Sequence, residues 1–360
     1  MNHIFRAGIA ALTVAVCVGA QAASNGIAVS ISTDKSSLGK SDDVVVTVTL
    51  TNTSATPQAV LRWHTPFGGE IEEPLFDIRR DGAKVPYLGA RYKRPAPTAA
   101  DYYVLAPGAS RSARVELSSL YEMSVTGDYT IRYDTESLTL FNPHVNGRGT
   151  VAQRFGELKS QPLTLFIDAR LPRGAVSQPA PELDAARGSG ASLSFAKCSA
   201  SQQSALTTAV AAGRAMADDG ERYLMARKLL GPRYTNWFGA SDPARQATVR
   251  GNFAAIKDAF ATRPVTVDCG CNKPYFAYVY PTKPYAIYVC RAFWTAPMTG
   301  TDSKGGTMVH EMSHFNVVAA TDDWVYGQEG AASLAISDPA RAVNNADSHE
   351  YFGENTPALD

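Results

Sequence analysis

Gly305-Gly306-Thr307-Met308-Val309-His310-Glu311-Met312-Ser313-His314-Phe315 places two histidines four residues apart, with a glutamate directly after the first. On an α-helix, positions i and i+4 lie one above the other on one face. His310 and His314 can therefore offer two imidazole nitrogens to one ion. Glu311 is rotated about 100° from His310, so it lies beside such an ion rather than on it. Met308, Val309 and Phe315 flank the three polar residues, which predicts a helix at least half buried. Two imidazoles and a carboxylate are costly to bury without partners, and one bound metal accounts for all three. The spacing is the zinc-binding HExxH pattern; the alternative is a chance pattern on a surface helix.

Catalytic zinc takes three protein ligands and keeps a fourth position for water. The arrangement His-x-x-Gly-x-x-His is absent after the motif, with Val317 where its glycine would stand. The remaining third-ligand candidates are Asp322, Asp323, Glu329, His349 and Glu350. The helix is expected to run to about Ala320, where Ala320-Thr321-Asp322-Asp323 reads as a turn. A carboxylate just past that turn can fold back onto the histidines. Farther on, Asp347 and Glu350 stand three apart and share a helix face. A compact ammonium between them is favourable; a solvated acidic helix end is the plain reading of the same pair.

His310-Glu311-x-x-His314 followed by Ala320-Thr321-Asp322-Asp323 resembles the aspzincin pattern of the deuterolysin family, HExxH and then Gly-Thr-x-Asp. The similarity is greatest to the peptidyl-Lys metalloendopeptidases of that family. It runs from Cys198 through Tyr326-Gly327-Gln328 to Asn345-Ala346-Asp347-Ser348-His349-Glu350-Tyr351-Phe352, roughly one domain's length. The resemblance implies an α+β, mostly helical zincin-type protease domain with Asp323 as third zinc ligand and Asp322 at a variable position. It also implies Tyr326 as the donor to the reaction's oxyanion, and Asp347 with Glu350 as the pocket for the residue after the scissile bond. Ala320 replaces the motif glycine; an alanine held at positive φ costs about 1 kcal/mol.

The chain has 360 residues, is 45% hydrophobic and 19% charged, and carries no formal net charge. That is globular composition, long enough for two domains. Charge balance argues against nucleic acid or an anionic membrane as the main partner. Arg6, the apolar run Ala7–Ala20 and Ala20-Gln21-Ala22 read as a secretory signal peptide over residues 1–22, too short to span a membrane. A secreted protein is expected. Cys17 falls inside that leader, leaving Cys198, Cys269, Cys271 and Cys290. Four cysteines in an exported chain suggest two disulfides with three possible connectivities, and export disfavours the rival structural zinc site. The family resemblance implies Cys198–Cys269 and Cys271–Cys290.

Residues 23–170 read as all-β. Asp43–Asn52 over its second half, Ala113–Leu117 and Tyr129–Tyr133 alternate polar and apolar residues, and Asp81-Gly82, Pro107-Gly108 and Gly127-Asp128 mark turns. Many short strands between regular turns predict an immunoglobulin-like sandwich. His64 and His144 are isolated there and read as surface or packed residues, while Arg79-Arg80 and Lys93-Arg94 read as solvated pairs or processing sites. Residues 171–194 are rich in Pro, Gly, Ala and Ser, a linker composition open to proteolysis. The β domain is therefore read as a propeptide ahead of a catalytic domain at 195–360, with a permanent accessory domain as the other reading. It holds no cysteine, which excludes a thiolate switch on zinc; steric cover, with one of its lysines in the specificity pocket, is expected instead.

In the catalytic part, helix is expected over Gln202–Leu230, an aromatic loop over Pro232–Gly239, and a helix from Pro243 to Ala261 capped by Asp242. Strands are expected at Val265–Cys269, Phe276–Tyr280 and Ala286–Cys290, whose edge can pair with an extended peptide. Helices then follow over Gln328–Ile336 and from Pro339 past Asn345. Together these readings predict a secreted zinc endopeptidase that cuts on the amino side of lysine in proteins and peptides. Zinc makes water a nucleophile near neutral pH, Glu311 takes its proton and Tyr326 stabilises the oxyanion. Glu311→Gln should keep zinc and lose turnover, and Asp347→Ala should erode lysine preference while sparing zinc. The competing readings are a gluzincin with Glu350 or Glu329 as third ligand, and a secreted adhesin with a structural metal.

Overall fold

The computed structural model describes residues 24–143, 152–168, 191–226 and 230–360. The leader at 1–22, His144 and residues 171–190 of the expected linker lie outside them. The first half is built of β1 (Ile27–Ser32), β2 (Ser37–Leu38), β3 (Val45–Asn52), β4 (Gln58–Leu61), β5 (Phe76–Arg80), β6 (Ala83–Lys84), β7 (Arg91–Lys93), β8 (Tyr102–Leu105), β9 (Ser110–Glu116), β10 (Gly127–Ser137), β11 (Gly156–Lys159) and β12 (Leu163–Ile167). Most belong to a sheet β1-β3-β9, a sheet β2-β12-β10-β5-β6 with β11 beside β10, or the pair β4-β8. Alternation explains how they close on one core. Val46, Val48 and Leu50 of β3, and Tyr129, Ile131 and Tyr133 of β10, are all fully buried, as a period of two requires when one face packs. Each such side chain contributes roughly 1.5–3 kcal/mol of burial.

The second half contains β13 (Ser192–Ala196), α1 (Ala200–Ala226), α2 (Pro232–Phe238), α3 (Pro243–Thr262), β14 (Pro264–Asp268), β15 (Ala277–Val279), β16 (Ala286–Val289), α4 (Arg291–Thr295), α5 (Lys304–His314), α6 (Gln328–Ser337), α7 (Pro339–Ala342) and α8 (Ala346–Glu354). Its sheet runs β13-β14-β16-β15, and β7 from the first half completes it at the outer edge of β15. That added strand is antiparallel, with Lys93 opposite Ala277, Tyr92 opposite Tyr278 and Arg91 opposite Val279. Phe276 N donates to Lys93 O at 3.0 Å.

Every residue of α5 is buried. Ser303 caps the helix by accepting from Gly306 N at 2.9 Å, satisfying one of its free first-turn N–H groups. The helix seats closely on α1, because a Cβ on Gly213 would lie 2.9 Å from Gly305 O. Alanine at Gly213 would push the histidine-bearing helix out of place.

Several expectations change. Pro232–Phe238 is a helix, begun by proline and closed by Gly239 at φ 79°; Tyr234, Trp237 and Phe238 are core, as aromatics there were expected to be. The motif helix α5 stops at His314, six residues before Ala320, because Thr321 N bonds back to Ser313 O at 3.2 Å. Ala320 itself sits at φ 49°, the strained turn that its replacement of glycine suggested. The final helical stretch breaks between Ala342 and Ala346. Ser192–Ala196 pairs with β14, so the last residues of linker-like composition are sheet. Cys198–Cys269 and Cys271–Cys290 are disulfide-bonded. Among the described residues no helix is long and apolar enough to cross a membrane.

Candidate active site

His310 and His314 point their Nε2 atoms at each other, 3.1 Å apart. The Asp323 carboxylate stands across both, with Oδ1 3.2 Å from His310 Nε2 and Oδ2 3.3 Å from His314 Nε2. All three side chains are fully buried. The loop bearing Asp323 is pinned at several points: Asp322 N donates to Asn344 O at 2.8 Å, Ala346 N donates to Asp322 O at 3.0 Å, and Asn345 Oδ1 accepts from Trp324 N at 3.0 Å. Ser313 and Thr321 hydroxyls meet at 2.6 Å. The carboxylate just past the turn therefore does fold back onto the motif helix.

This trio fits a metal. His314 Nδ1 lies 2.8 Å from Thr321 O; an N–H there donates to the carbonyl and leaves the Nε2 lone pair facing the centre. The buried oxygens of Asp323 and Glu311 have no hydrogen-bond donor. Acceptors gathered without donors are costly, and a cation resolves the cost. Two imidazoles and one carboxylate are a donor set that suits zinc. Glu311 lies beside the trio; burial pushes its carboxyl up to about 8, with His310 opposing.

On the far side of the His310 ring, Nδ1 lies 2.9 Å from Asp347 Oδ1 and 3.3 Å from Glu350 Oε2. These carboxylates surround a cation supplied by the first half. Lys93 Nζ is 2.6 Å from Glu350 Oε2, 3.3 Å from Asp302 Oδ1 and 3.5 Å from Asp347 Oδ1, with none of its side chain exposed. Burial lowers the Lys93 ammonium, but Asp347, Glu350 and Asp302 outweigh it and hold the group well above its ordinary value. Next along the strand, Tyr326 Oη donates to Tyr92 O at 2.8 Å and accepts from Arg94 Nη1 at 2.9 Å. Burial, then Asp323 and Glu73, push the Tyr326 phenol well up, so it stays a donor.

Asp302 was missed by sequence reasoning. It lies in the loop before α5 at φ 50°, oriented by Tyr351 Oη at 2.7 Å. Its one sequence signal was its place just before a helix cap, which says nothing of a pocket. Lys93 and Arg94, expected to be solvated, are both buried. Arg94 pairs with Glu73 and with Glu72 at 3.1 Å, and its guanidinium faces the rings of Trp63, Tyr92 and Tyr275. Glu329 is exposed, and Glu350 approaches only the Nδ1 side of His310, so neither stands as Asp323 does. His349 serves the fold, with Nδ1 2.9 Å from Asn345 O and Nε2 3.0 Å from Asn252 Nδ2. His64 is packed, 2.6 Å from Thr135 Oγ1.

The aspzincin family, described as lysine-specific metallo-endopeptidase, matches residues 223–354. An extracellular protease of Aeromonas hydrophila is 45% identical over 326 residues, covering 89% of this chain and 90% of that protein. A peptidyl-Lys metalloendopeptidase of Grifola frondosa is 34% identical over 364 residues, covering 97% of this chain and 98% of that one. A solved zinc peptidase from Grifola frondosa covers 45% of this chain and 100% of its own, at 45% identity and a TM-score of 0.44. Similarity of this extent, along nearly the whole chain, makes the protein a metalloendopeptidase and a member of the aspzincin family.

Proposed function

We propose that this protein is a secreted zinc endopeptidase, made as a precursor, that hydrolyses peptide bonds on the amino side of lysine. His310, His314 and Asp323 would hold the metal. Zinc, when bound, supplies a Lewis acid that acidifies water and polarises a carbonyl. The chain's own residues then have separate tasks. Glu311, unpartnered and with a raised affinity for protons, accepts the proton of the attacking water and passes it to the leaving amine. Tyr326 donates to the carbonyl oxygen of the bond being cut, where negative charge gathers. Glu350, Asp347 and Asp302 bind the substrate ammonium, and burial makes that recognition strong because an unmatched pocket leaves charges unpaired.

One observation carries this reading. Lys93 fills the acidic pocket while the carbonyl of the preceding residue, Tyr92, accepts from Tyr326. A strand of the first half thus lies in the cleft as a substrate would, paired along β15 by the sheet-edge mode expected for a peptide. The same contact supports the propeptide reading, with residues 23–170 an immunoglobulin-like inhibitory domain joined through 171–194 to a catalytic domain at 195–360. Secretion is supported by the leader-like sequence 1–22 and by the extracellular relative.

Mass mapping of peptides released from a denatured protein tests the specificity. New N-termini should be lysine almost throughout, and a spread over other residues would remove the assignment of the acidic pocket. Inhibition is tested by comparing the uncut chain with its processed form on a short lysyl peptide. Equal rates would show that the first half does not block the cleft.

A further inference from the structure

Beyond the lysine pocket, the cleft contains a second charged contact on the same side of the strand. Residues two apart in a strand face the same way, so Arg91 points with Lys93 toward the catalytic half. Its guanidinium pairs with the Asp322 carboxylate. Arg94 is different: its carboxylate partners Glu72 and Glu73 belong to the first half, and they report on that half rather than on the cleft. Asp322 belongs to the catalytic half and remains there when the strand leaves. Its backbone, not its carboxylate, holds the metal-site loop, through bonds to Asn344 O and from Ala346 N at 2.8 and 3.0 Å. Between the two cations, Tyr92 packs against Tyr275 and Tyr278, with ring centroids 5.4 and 5.2 Å away. That packing and the β15 pairing fix the register of the strand.

We propose that Asp322 is a second specificity residue, forming a subsite that selects a basic side chain two residues before the lysine of the substrate. This rests on the proposed cleavage before lysine. The Asp322 side chain is 38% exposed and that of Arg91 14%, so the contact tunes selection, and the lysine pocket dominates. A pair of this exposure changes a rate by on the order of 2–5-fold.

The test uses the full chain carrying Lys93→Glu, which sets a carboxylate against Asp347, Glu350 and Asp302 and frees the cleft. Three otherwise identical peptides place Arg, Ala or Glu before Tyr-Lys, and kcat/KM is measured for each. Arg should exceed Ala by roughly 2–5-fold and Glu should fall below Ala; adding Asp322→Lys should reverse the order. Equal cleavage of all three before lysine, or an order unmoved by Asp322→Lys, overturns this proposal alone. Cleavage elsewhere than before lysine overturns it together with the reading it rests on. Should Lys93→Glu fail to fold, a charge swap in the otherwise wild-type chain reads the same contact. Arg91→Glu should raise the peptidase activity of the uncut chain and Asp322→Lys should restore latency; no restoration overturns the proposal.

Discussion

Two regions of this molecule, the β core of the first half and the histidine-bearing site of the second, treat buried polarity in opposite ways. In the first half, Asn52 is fully buried yet satisfied locally. Its Nδ2 donates to Thr56 O and Leu105 O at 2.8 and 2.9 Å, and its Oδ1 accepts from Ser54 N and Oγ at 2.9 and 2.7 Å. His64 likewise meets Thr135, and its carbonyl accepts from Tyr133 Oη at 2.6 Å. In the second half, Glu311 and Asp323 are buried without donors, and Glu350 takes its cation from Lys93 of the other half. Buried polar groups are ordinarily hydrogen-bonded. Where neighbours satisfy such groups they specify the fold, while the carboxylates left without donors beside His310 and His314 gather at the candidate metal site.

The largest expected effect separates those two roles. Glu311→Gln should lower kcat by roughly 10²–10⁴-fold with melting temperature unchanged or raised, because the residue supports no contact of the fold. Peptide hydrolysis, metal content and thermal melts check this together; a large fall in stability would blur the contrast. Next, Lys93→Ala removes one partner from a buried charge cluster, a change that costs about 3–5 kcal/mol. The loss should fall on the docking of the strand, seen as a rise in peptide hydrolysis by the uncut chain. Asn52→Ala should instead cost about 1–3 kcal/mol of stability and leave the hydrolysis rate of the processed enzyme unmoved.

The smallest effect concerns acid. Burial, and then Arg94, lower His64 from 6.5 to about 3. Its unfolded form therefore binds a proton between those values while the folded form does not. The stability is present above pH 6.5 and is lost progressively as pH falls toward 3. Between pH 7.5 and 5.5 the loss is about 1.4 kcal/mol. Denaturant melts at the two pH values, with His64→Gln as the comparison, read it directly. A His64→Gln protein equally weakened by acid would assign the effect to other groups.

The sheet that lines the cleft shows why its fifth strand could not be read in sequence. The edge of β15 was legible, because Ala277–Val279 lies in a short apolar run just before the motif helix. Lys93-Arg94, two adjacent cations, reads as solvated, and for Lys93 only the carboxylates of a distant segment make burial favourable. Likewise Asp302 joins Asp347 and Glu350 across 45 residues of sequence with no periodicity to announce it.

The residues themselves placed His310, Glu311 and His314 on one helix, paired Asp347 with Glu350 and marked the alternating strands, because helix and strand periods place side chains by local geometry alone; Asp323 was chosen among five candidates only through the family resemblance. The end of α5 at His314, the third carboxylate of the pocket and the partner of all three were decided by tertiary structure. Those features depend on which charges meet once water is excluded, and no local period of the chain encodes that meeting.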